Sequence, residues 1–115
     1  MSVFMETSLK RVKMIKEWRV WARRIANVVK ELLPNAEVYV FGSVVRGNNV
    51  ASSDVDILIV SPNTPGSIRK RAEIKAQIED KLNLPYYHPF QIHIVNPEEA
   101  RIYFKRIRKH MVKVA

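Results

Sequence analysis

The spacing of apolar side chains predicts a long first helix between residues 7 and about 33. Apolar residues recur there at intervals of three and four, which places them on one face of a helix. Thr7 or Ser8 is the expected N-cap, and Pro34 ends the segment. The opposite face carries many basic residues, and we interpret it as a solvated surface. The stripe expected to be buried comprises Leu9, Val12, Ile15, Trp18, Ala22, Ile25, Val29 and Leu32.

Three short segments have the pattern of β-strands. Residues 37–41, EVYVF, alternate between polar and apolar positions, and residues 90–95, FQIHIV, form the last of the three. Between them, the apolar run ILIV follows two aspartates and predicts a strand over residues 54–60. Gly42 ends the first strand, and Gly47 with the Asn48-Asn49 pair predicts a turn, so only one turn of helix fits between them.

Two further helices are predicted in the second half of the chain. Residues 68–82 form the first, with an approximate buried stripe of Ile68, Ala72, Ile74, Ile78 and Leu82. The last helix begins at Asn96 as N-cap, with Pro97 in the first helical position. Its apolar stripe is expected to run to the end of the chain through Ala100, Tyr103, Phe104, Ile107, Met111 and Val114.

This order of elements predicts an α+β fold, a two-layer α/β arrangement with helices packed on a small mixed sheet of about three to four strands. The helix at 68–82 is long enough for a crossover, so the second and third strands should be parallel. The first and second strands are joined by a much shorter connection and should be antiparallel. We expect residues 1–115 to form one domain.

Composition excludes several classes of site and favours an anionic partner. The 115 residues include no cysteine, which excludes thiolate chemistry, and the three histidines are too few and too scattered to indicate a metal cluster. No segment resembles a membrane span or a signal peptide, so the cytoplasm is the expected location. The net charge of +9 suits nucleotide, nucleic acid or an acidic protein, although a well-solvated basic surface explains it equally well.

The predicted topology brings two polar motifs to one edge of the sheet. If the first two strands are antiparallel, the end of the first, at Gly42 and Ser43, lies beside the start of the second, at Asp54 and Asp56. Gly42 lacks a Cβ, so its backbone allows close approach of a ligand. Ser43 begins a helical turn whose free N–H groups and hydroxyl suit phosphate oxygens.

The two aspartates are predicted to face one pocket. In a strand, Asp54 and Asp56 are two residues apart, about 6.6 Å, and point to the same face. Their mutual repulsion favours a bound cation, and Mg²⁺ with substrate phosphates is the natural choice. A Gly-Ser pair is often only a turn, and Asp-x-Asp is often a solvated strand end. Both together, eleven residues apart from Ser43 to Asp54, favour a site.

The segments GSVVRG and SDVDILIV resemble the Gly-Ser…Asp-x-Asp signature of the DNA polymerase beta-like nucleotidyltransferase superfamily, and the short chain resembles its minimal branch of archaea and bacteria. The resemblance implies a nucleotidyltransferase fold in which Gly42 and Ser43 contact nucleotide phosphates. Asp54 and Asp56 would be catalytic and would hold Mg²⁺. Arg46 matches the Arg-Gly of the family and is expected to contact phosphate or to form a salt bridge within the turn.

One position departs from the family pattern. A third carboxylate is common on the later strand, and the matching position here is Gln91, because Phe90, Ile92 and Ile94 are expected to face the core. An amide oxygen accepts a hydrogen bond but cannot take a proton at neutral pH. His93 is predicted on the same face as Gln91, where it serves either as a base or as an ordinary hydrogen-bonded sheet residue.

The resemblance implies transfer of a nucleotidyl group, AMP from ATP, to a hydroxyl acceptor. In the minimal branch such proteins often act as antitoxins that adenylylate a helical toxin ribonuclease, so a partner protein is expected. Because of Gln91, a weakened or inactive antitoxin-like binding module of the same fold stays open as the alternative. A nucleic-acid-binding protein is less favoured, since the aromatic residues are scattered and form no stacking surface. Homo-oligomers are compatible with the sequence.

Overall fold

The computed structural model describes residues 2–47, 54–107 and 110–115. The turn predicted at Asn48-Asn49 lies outside these residues. The described part contains four helices, α1 Val3–Lys16, α2 Trp18–Leu32, α3 Ile68–Lys81 and α4 Pro97–Ile107. It also contains four strands, β1 Glu37–Phe41, β2 Val55–Val60, β3 Phe90–Val95 and β4 Met111–Lys113. No described helix is long and apolar enough to span a lipid bilayer.

The strands form one mixed sheet in the order β3-β2-β1-β4. β1 and β2 are antiparallel, with Phe41 opposite Asp56. β2 and β3 are parallel, with Asp56 opposite Gln91. The predicted α+β class, the mixed sheet and both strand orientations are therefore confirmed. The physical basis is the length of each connection, since only the segment that contains α3 allows a parallel crossover.

The two faces of the sheet are covered by different helices. On one face, the alternate β2 residues Val55, Ile57 and Ile59 pack with buried side chains of α1, α2 and α3. On the other face, Leu58 and Val60 pack with α4 residues and with Tyr39, Phe41 and Met111 of the neighbouring strands. Asp56 alternates with the buried residues of the larger core, so it points to the α4 face of the sheet.

The prediction of a single first helix was wrong in its start and its continuity. The helix begins at Val3, with Ser2 as N-cap and its hydroxyl accepting from the Met5 amide at 3.1 Å. Glu17 then separates α1 from α2, with φ −96° and ψ 26°. The apolar spacing continues through this point and contains no glycine or proline, so no local signal marks the break. Leu9, expected in the buried stripe, is 55% exposed.

The α3 helix follows its predicted boundaries but not its whole predicted stripe. It spans Ile68–Lys81, and the Ser67 hydroxyl caps it by accepting from the Lys70 amide at 3.3 Å. Ile78 is fully buried, whereas Ile68 is 85% exposed. Ile68 was expected to be buried and is not, because the first turn of the helix extends beyond the core.

The last helix starts as predicted and ends earlier. Asn96 and Glu99 cap each other, because the Glu99 amide donates to Asn96 Oδ1 at 2.8 Å and the Asn96 amide donates to Glu99 Oε1 at 3.0 Å. The helix ends at Ile107, so the prediction that Met111 and Val114 extend its stripe was wrong. Met111–Lys113 form β4 instead, since the outer edge of β1 is open to an antiparallel strand.

Candidate functional site

Gly42 and Asp56 are in direct contact at the end of β1. Gly42 follows the β1 residue opposite Asp56 and has φ +94°, a left-handed conformation that favours glycine. A methyl group on Gly42 would collide with the Asp56 carboxylate. The predicted proximity of the glycine-serine corner to the second aspartate is therefore present in the structure, in a form that leaves no space for a side chain.

The segment after Gly42 forms a hydrogen-bonded turn. The amides of Val45 and Arg46 donate to the Gly42 carbonyl at 3.2 and 3.4 Å. The Val44 side chain is buried in the larger core and fixes the turn to the domain. Ser43 is half-buried beside Gly42, whereas Arg46 is exposed. Within the described part of the chain Arg46 forms no salt bridge, so of its two expected roles the ion pair inside the turn is absent there.

Asp54 is held by a residue that sequence reasoning missed. Arg11 of α1 places Nη2 2.6 Å from Asp54 Oδ1, and the two residues are 43 positions apart in the sequence. The Asp54 side chain is 45% exposed and that of Arg11 is 21% exposed. Asp54 lies just before β2 and contacts Arg11 of α1, whereas Asp56 lies beside His93 of β3. The two carboxylates therefore have different partners, and no sequence signal identifies Arg11.

Gln91 and His93 are both placed on the Asp56 side of the sheet. Gln91 is exposed and lies opposite Asp56 in the parallel ladder. His93 places Nε2 3.5 Å from Asp56 Oδ1. Phe90 and Ile94 are buried in the opposite core, and Ile92 packs against it, as predicted. This position beside Asp56 thus carries an amide where the resemblance implied a carboxylate, with an imidazole next to it.

A cleft of about 600 Å³ adjoins this site between β3 and α4. Phe41, His93 and Tyr103 form a cluster of aromatic rings along it, with centroids 5.7 to 6.0 Å apart. Arg71 and Glu99 form its far wall through contacts of 3.0 Å between guanidinium and carboxylate. His93 and Phe41 therefore connect the Asp56 site to a larger and partly aromatic surface.

Two pKa shifts describe the electrostatics around the α4 face. The hydrogen bond from Arg71 lowers the pKa of Glu99, and the Asn96 amide lowers it further. Burial raises the pKa of Tyr39 to about 12, and its hydrogen bond to Glu37 adds to this effect. Glu99 is therefore ionised and Tyr39 is neutral at pH 7. The charge of neither group changes near neutral pH.

The donor set fits a divalent cation that enters together with a nucleotide. No cluster of three or more acidic or histidine side chains that could hold a metal is found in residues 2–47, 54–107 and 110–115. Asp54 and Asp56 offer carboxylate oxygens, which are hard ligands suited to Mg²⁺. Mg²⁺ is commonly held by one or two carboxylates while phosphates and water complete its shell. The residues present match that arrangement and do not form a closed protein cage.

Comparison with known proteins identifies the family. The family model described as a nucleotidyltransferase domain matches residues 22–113. The chain therefore belongs to the nucleotidyltransferase-domain family, and the resemblance seen in its motifs is confirmed. No match was found among curated proteins.

Solved structures share this fold. A candidate nucleotidyltransferase is 30% identical, with a TM-score of 0.61, over 79% of this chain and 94% of that chain. A second one, from Sulfolobus solfataricus, is 23% identical, with a TM-score of 0.59, over 95% and 83% of the two chains. A complex of tri-AMPylated HEPN toxin with MNT antitoxin from Shewanella oneidensis matches at 16% identity and a TM-score of 0.55, over 84% and 71%. The predicted nucleotidyltransferase fold is thereby confirmed.

Proposed function

We propose that this protein is a Mg²⁺-dependent nucleotidyltransferase that transfers AMP from ATP to a hydroxyl group on a partner protein. The observation that carries the proposal is the contact between Gly42 and the Asp56 carboxylate. A phosphate at the open backbone of the corner would lie next to an acidic metal ligand, which is the arrangement that nucleotidyl transfer requires. Family membership supports the reaction class.

The residues of the corner are proposed to position the triphosphate. The Gly42 backbone and the hydroxyl and amide of Ser43 donate to phosphate oxygens, because they stand at the start of the hydrogen-bonded turn. Arg46 is exposed beside them and adds positive charge. This set orients the α-phosphorus and excludes water from one side of it, so that an acceptor oxygen can approach in line with the leaving pyrophosphate.

Asp54 and Asp56 would hold Mg²⁺, which when bound neutralises charge on the phosphate oxygens. In the reaction, a bond forms between the acceptor oxygen and the α-phosphorus, and the bond to the β-phosphate bridging oxygen breaks. Gln91 cannot accept the hydroxyl proton. His93, with Nε2 3.5 Å from Asp56, can accept it in its neutral form.

A protein acceptor is proposed because the elements described leave the α4 cleft, lined in part by Phe41, His93 and Tyr103, open beside Asp56. A solved complex of an AMPylated toxin with an antitoxin contains a chain of this fold. This similarity supports a protein as the acceptor. A toxin of this kind, a helical ribonuclease, is the partner that we propose. A net charge of +9 favours an acidic surface on it.

Gln91 favours a second candidate function, a binding module that neutralises a partner by contact and transfers nucleotide weakly or not at all. It stands directly opposite Asp56, where a carboxylate would strengthen cation binding. In this version the fold and the partner surface are retained while the catalytic step is lost.

Transfer of label from ATP distinguishes the two functions. The protein is incubated with Mg²⁺, the product of the adjacent gene, and ATP labelled either at the α- or at the γ-phosphate. Nucleotidyl transfer places label on the partner from α-labelled ATP only. The Asp56→Asn variant should lose at least about a hundredfold in rate, because a metal ligand is removed.

The matched control is Asp80→Asn, which removes the same charge from an exposed position on α3. It should transfer label at the wild-type rate. Stable complex formation with the partner without any transfer would favour the binding module and reject the enzyme.

A further inference from the structure

The ion pair between Arg11 and Asp54 links α1 to the proposed metal site. Nη2 of Arg11 lies 2.6 Å from Oδ1 of Asp54, the length of a strong charge-assisted hydrogen bond. The guanidinium is largely covered, since the Arg11 side chain is 21% exposed. Asp54 is one of the two carboxylates that the proposed function assigns to the cation.

We propose that Arg11 is a residue of the nucleotide site. Its guanidinium contacts Asp54 in this structure, and when nucleotide and cation enter together it passes from Asp54 to the phosphates. The inference rests on the proposed function, because it takes a nucleoside triphosphate as the ligand.

A guanidinium and a divalent cation compete for the same carboxylate. The Arg11 side chain stays charged at any physiological pH and repels a cation placed on the oxygen that it contacts. A cation on its own must therefore displace Arg11 from Asp54 and separate that partly covered charge from a carboxylate. Binding of cation alone is expected to be weak for this reason.

A triphosphate removes this obstacle. It carries more negative charge than one carboxylate, and its paired oxygens match the planar fork of a guanidinium. Arg11 then gains a stronger partner at the moment when Asp54 becomes available for the cation. Nucleotide and cation should accordingly assist each other's binding, and the coupling must be reciprocal.

This exchange predicts opposite effects of one substitution on two binding reactions. In Arg11→Ala, Mn²⁺ alone should bind about fivefold more tightly, since its competitor is gone. A non-hydrolysable ATP analogue with Mg²⁺ should bind about tenfold more weakly, since a phosphate contact is lost. Arg11→Lys keeps the charge without the fork, so its affinity for the analogue should lie between wild type and Arg11→Ala.

The experiment measures Mn²⁺ binding by electron paramagnetic resonance and analogue binding by calorimetry, both without turnover. Lys16→Ala is the control, because it removes the same charge from an exposed position on α1. It should change both affinities by less than about twofold. Thermal unfolding establishes that each variant is folded.

The proposal is overturned if Arg11→Ala weakens Mn²⁺ binding, or if it leaves the affinity for the analogue unchanged. Its failure differs from failure of the proposed function. Wild-type protein that binds the analogue and transfers AMP while Arg11→Ala behaves identically rejects only the role of Arg11. Wild-type protein that binds no analogue rejects the nucleotide site itself.

Discussion

Gly42 lies against the carboxylate of Asp56, so closely that a Cβ atom on residue 42 has no space. The contact joins the end of β1 to a β2 residue 14 positions later through the antiparallel pairing of Phe41 with Asp56. A glycine is required here for two separate reasons, its φ of +94° and the absence of a side chain.

The first prediction is that Gly42→Ala disables the site. The added methyl group pushes the Asp56 carboxylate away, and a non-glycine residue in this conformation costs about 1–3 kcal/mol. We expect loss of label transfer by more than about tenfold, a weaker Mn²⁺ affinity and a lower melting temperature. Label transfer, electron paramagnetic resonance and thermal unfolding measure the three effects.

The variant Gly47→Ala distinguishes the effect of backbone strain from that of the collision with Asp56. Gly47 also has a positive φ, +83°, but a Cβ there meets no atom of the described residues within 4 Å. Gly47→Ala should be destabilised by a similar backbone strain, but its affinity for Mn²⁺ should be that of the wild type. Equal loss of metal affinity in both variants would show that strain in the turn, and not contact with Asp56, governs the site.

The second prediction concerns Gln91. Because it stands opposite Asp56 and is exposed, Gln91→Glu adds a carboxylate beside the proposed cation. We expect tighter Mn²⁺ binding, by about three- to tenfold, and faster label transfer. Gln77→Glu introduces the same charge on the exposed face of α3 and should change neither. Identical behaviour of the two variants would mean that residue 91 does not reach the cation.

The third prediction tests which face of α3 is buried. Ile78 is fully buried and Ile68 is 85% exposed on the same helix. Ile78→Ala should lower the free energy of unfolding by about 2–5 kcal/mol, because it leaves a cavity in the larger core. Ile68→Ala should change it by less than about 0.5 kcal/mol. Chemical denaturation measures both, and comparable losses would contradict the described orientation of α3.

The fourth prediction is a pH dependence at the start of α4. Arg71 lowers the pKa of Glu99 below its ordinary value of 4.5, so this carboxyl group binds a proton less readily in the folded protein. Its contribution to stability is present above pH 4.5 and is lost as the pH falls through the lowered pKa. Glu99→Gln should therefore be less stable than wild type at pH 7, by about 0.5–1 kcal/mol for this partly exposed group.

At pH 3 the difference between wild type and Glu99→Gln should shrink, because below pH 4.5 the unfolded chain binds a proton at residue 99 more readily than the folded protein does. Urea unfolding at the two pH values measures it. Glu98→Gln removes an exposed charge from the same turn and controls for the helix dipole. A difference that stays constant between pH 7 and pH 3 would assign the effect to packing and not to charge.

Local patterns were sufficient for the main elements of the sheet. The alternation in EVYVF, the apolar run after Asp56 and the length of the segment around α3 predicted three strands and their two orientations. They also predicted that Gly42 would meet Asp56, because antiparallel pairing of neighbouring strands leaves few other arrangements.

Local patterns did not predict the strand at Met111–Lys113. Met111 and Val114 continue the helical spacing of α4 as well as they fit a strand. Met111–Lys113 form a strand and not a helix because the free edge of β1 offers them backbone hydrogen bonds. That edge is distant in the sequence, so the pattern of neighbouring residues does not reveal it.

The sequence by itself determined the class of fold and the proximity of Gly42 to Asp56, since both depend on local patterns and on the pairing of adjacent strands. Only the tertiary structure placed Arg11 on Asp54, His93 beside Asp56 and β4 on β1. Contacts of this kind depend on how whole elements pack, and charged or polar side chains far apart in sequence carry no periodic signal of their eventual partners.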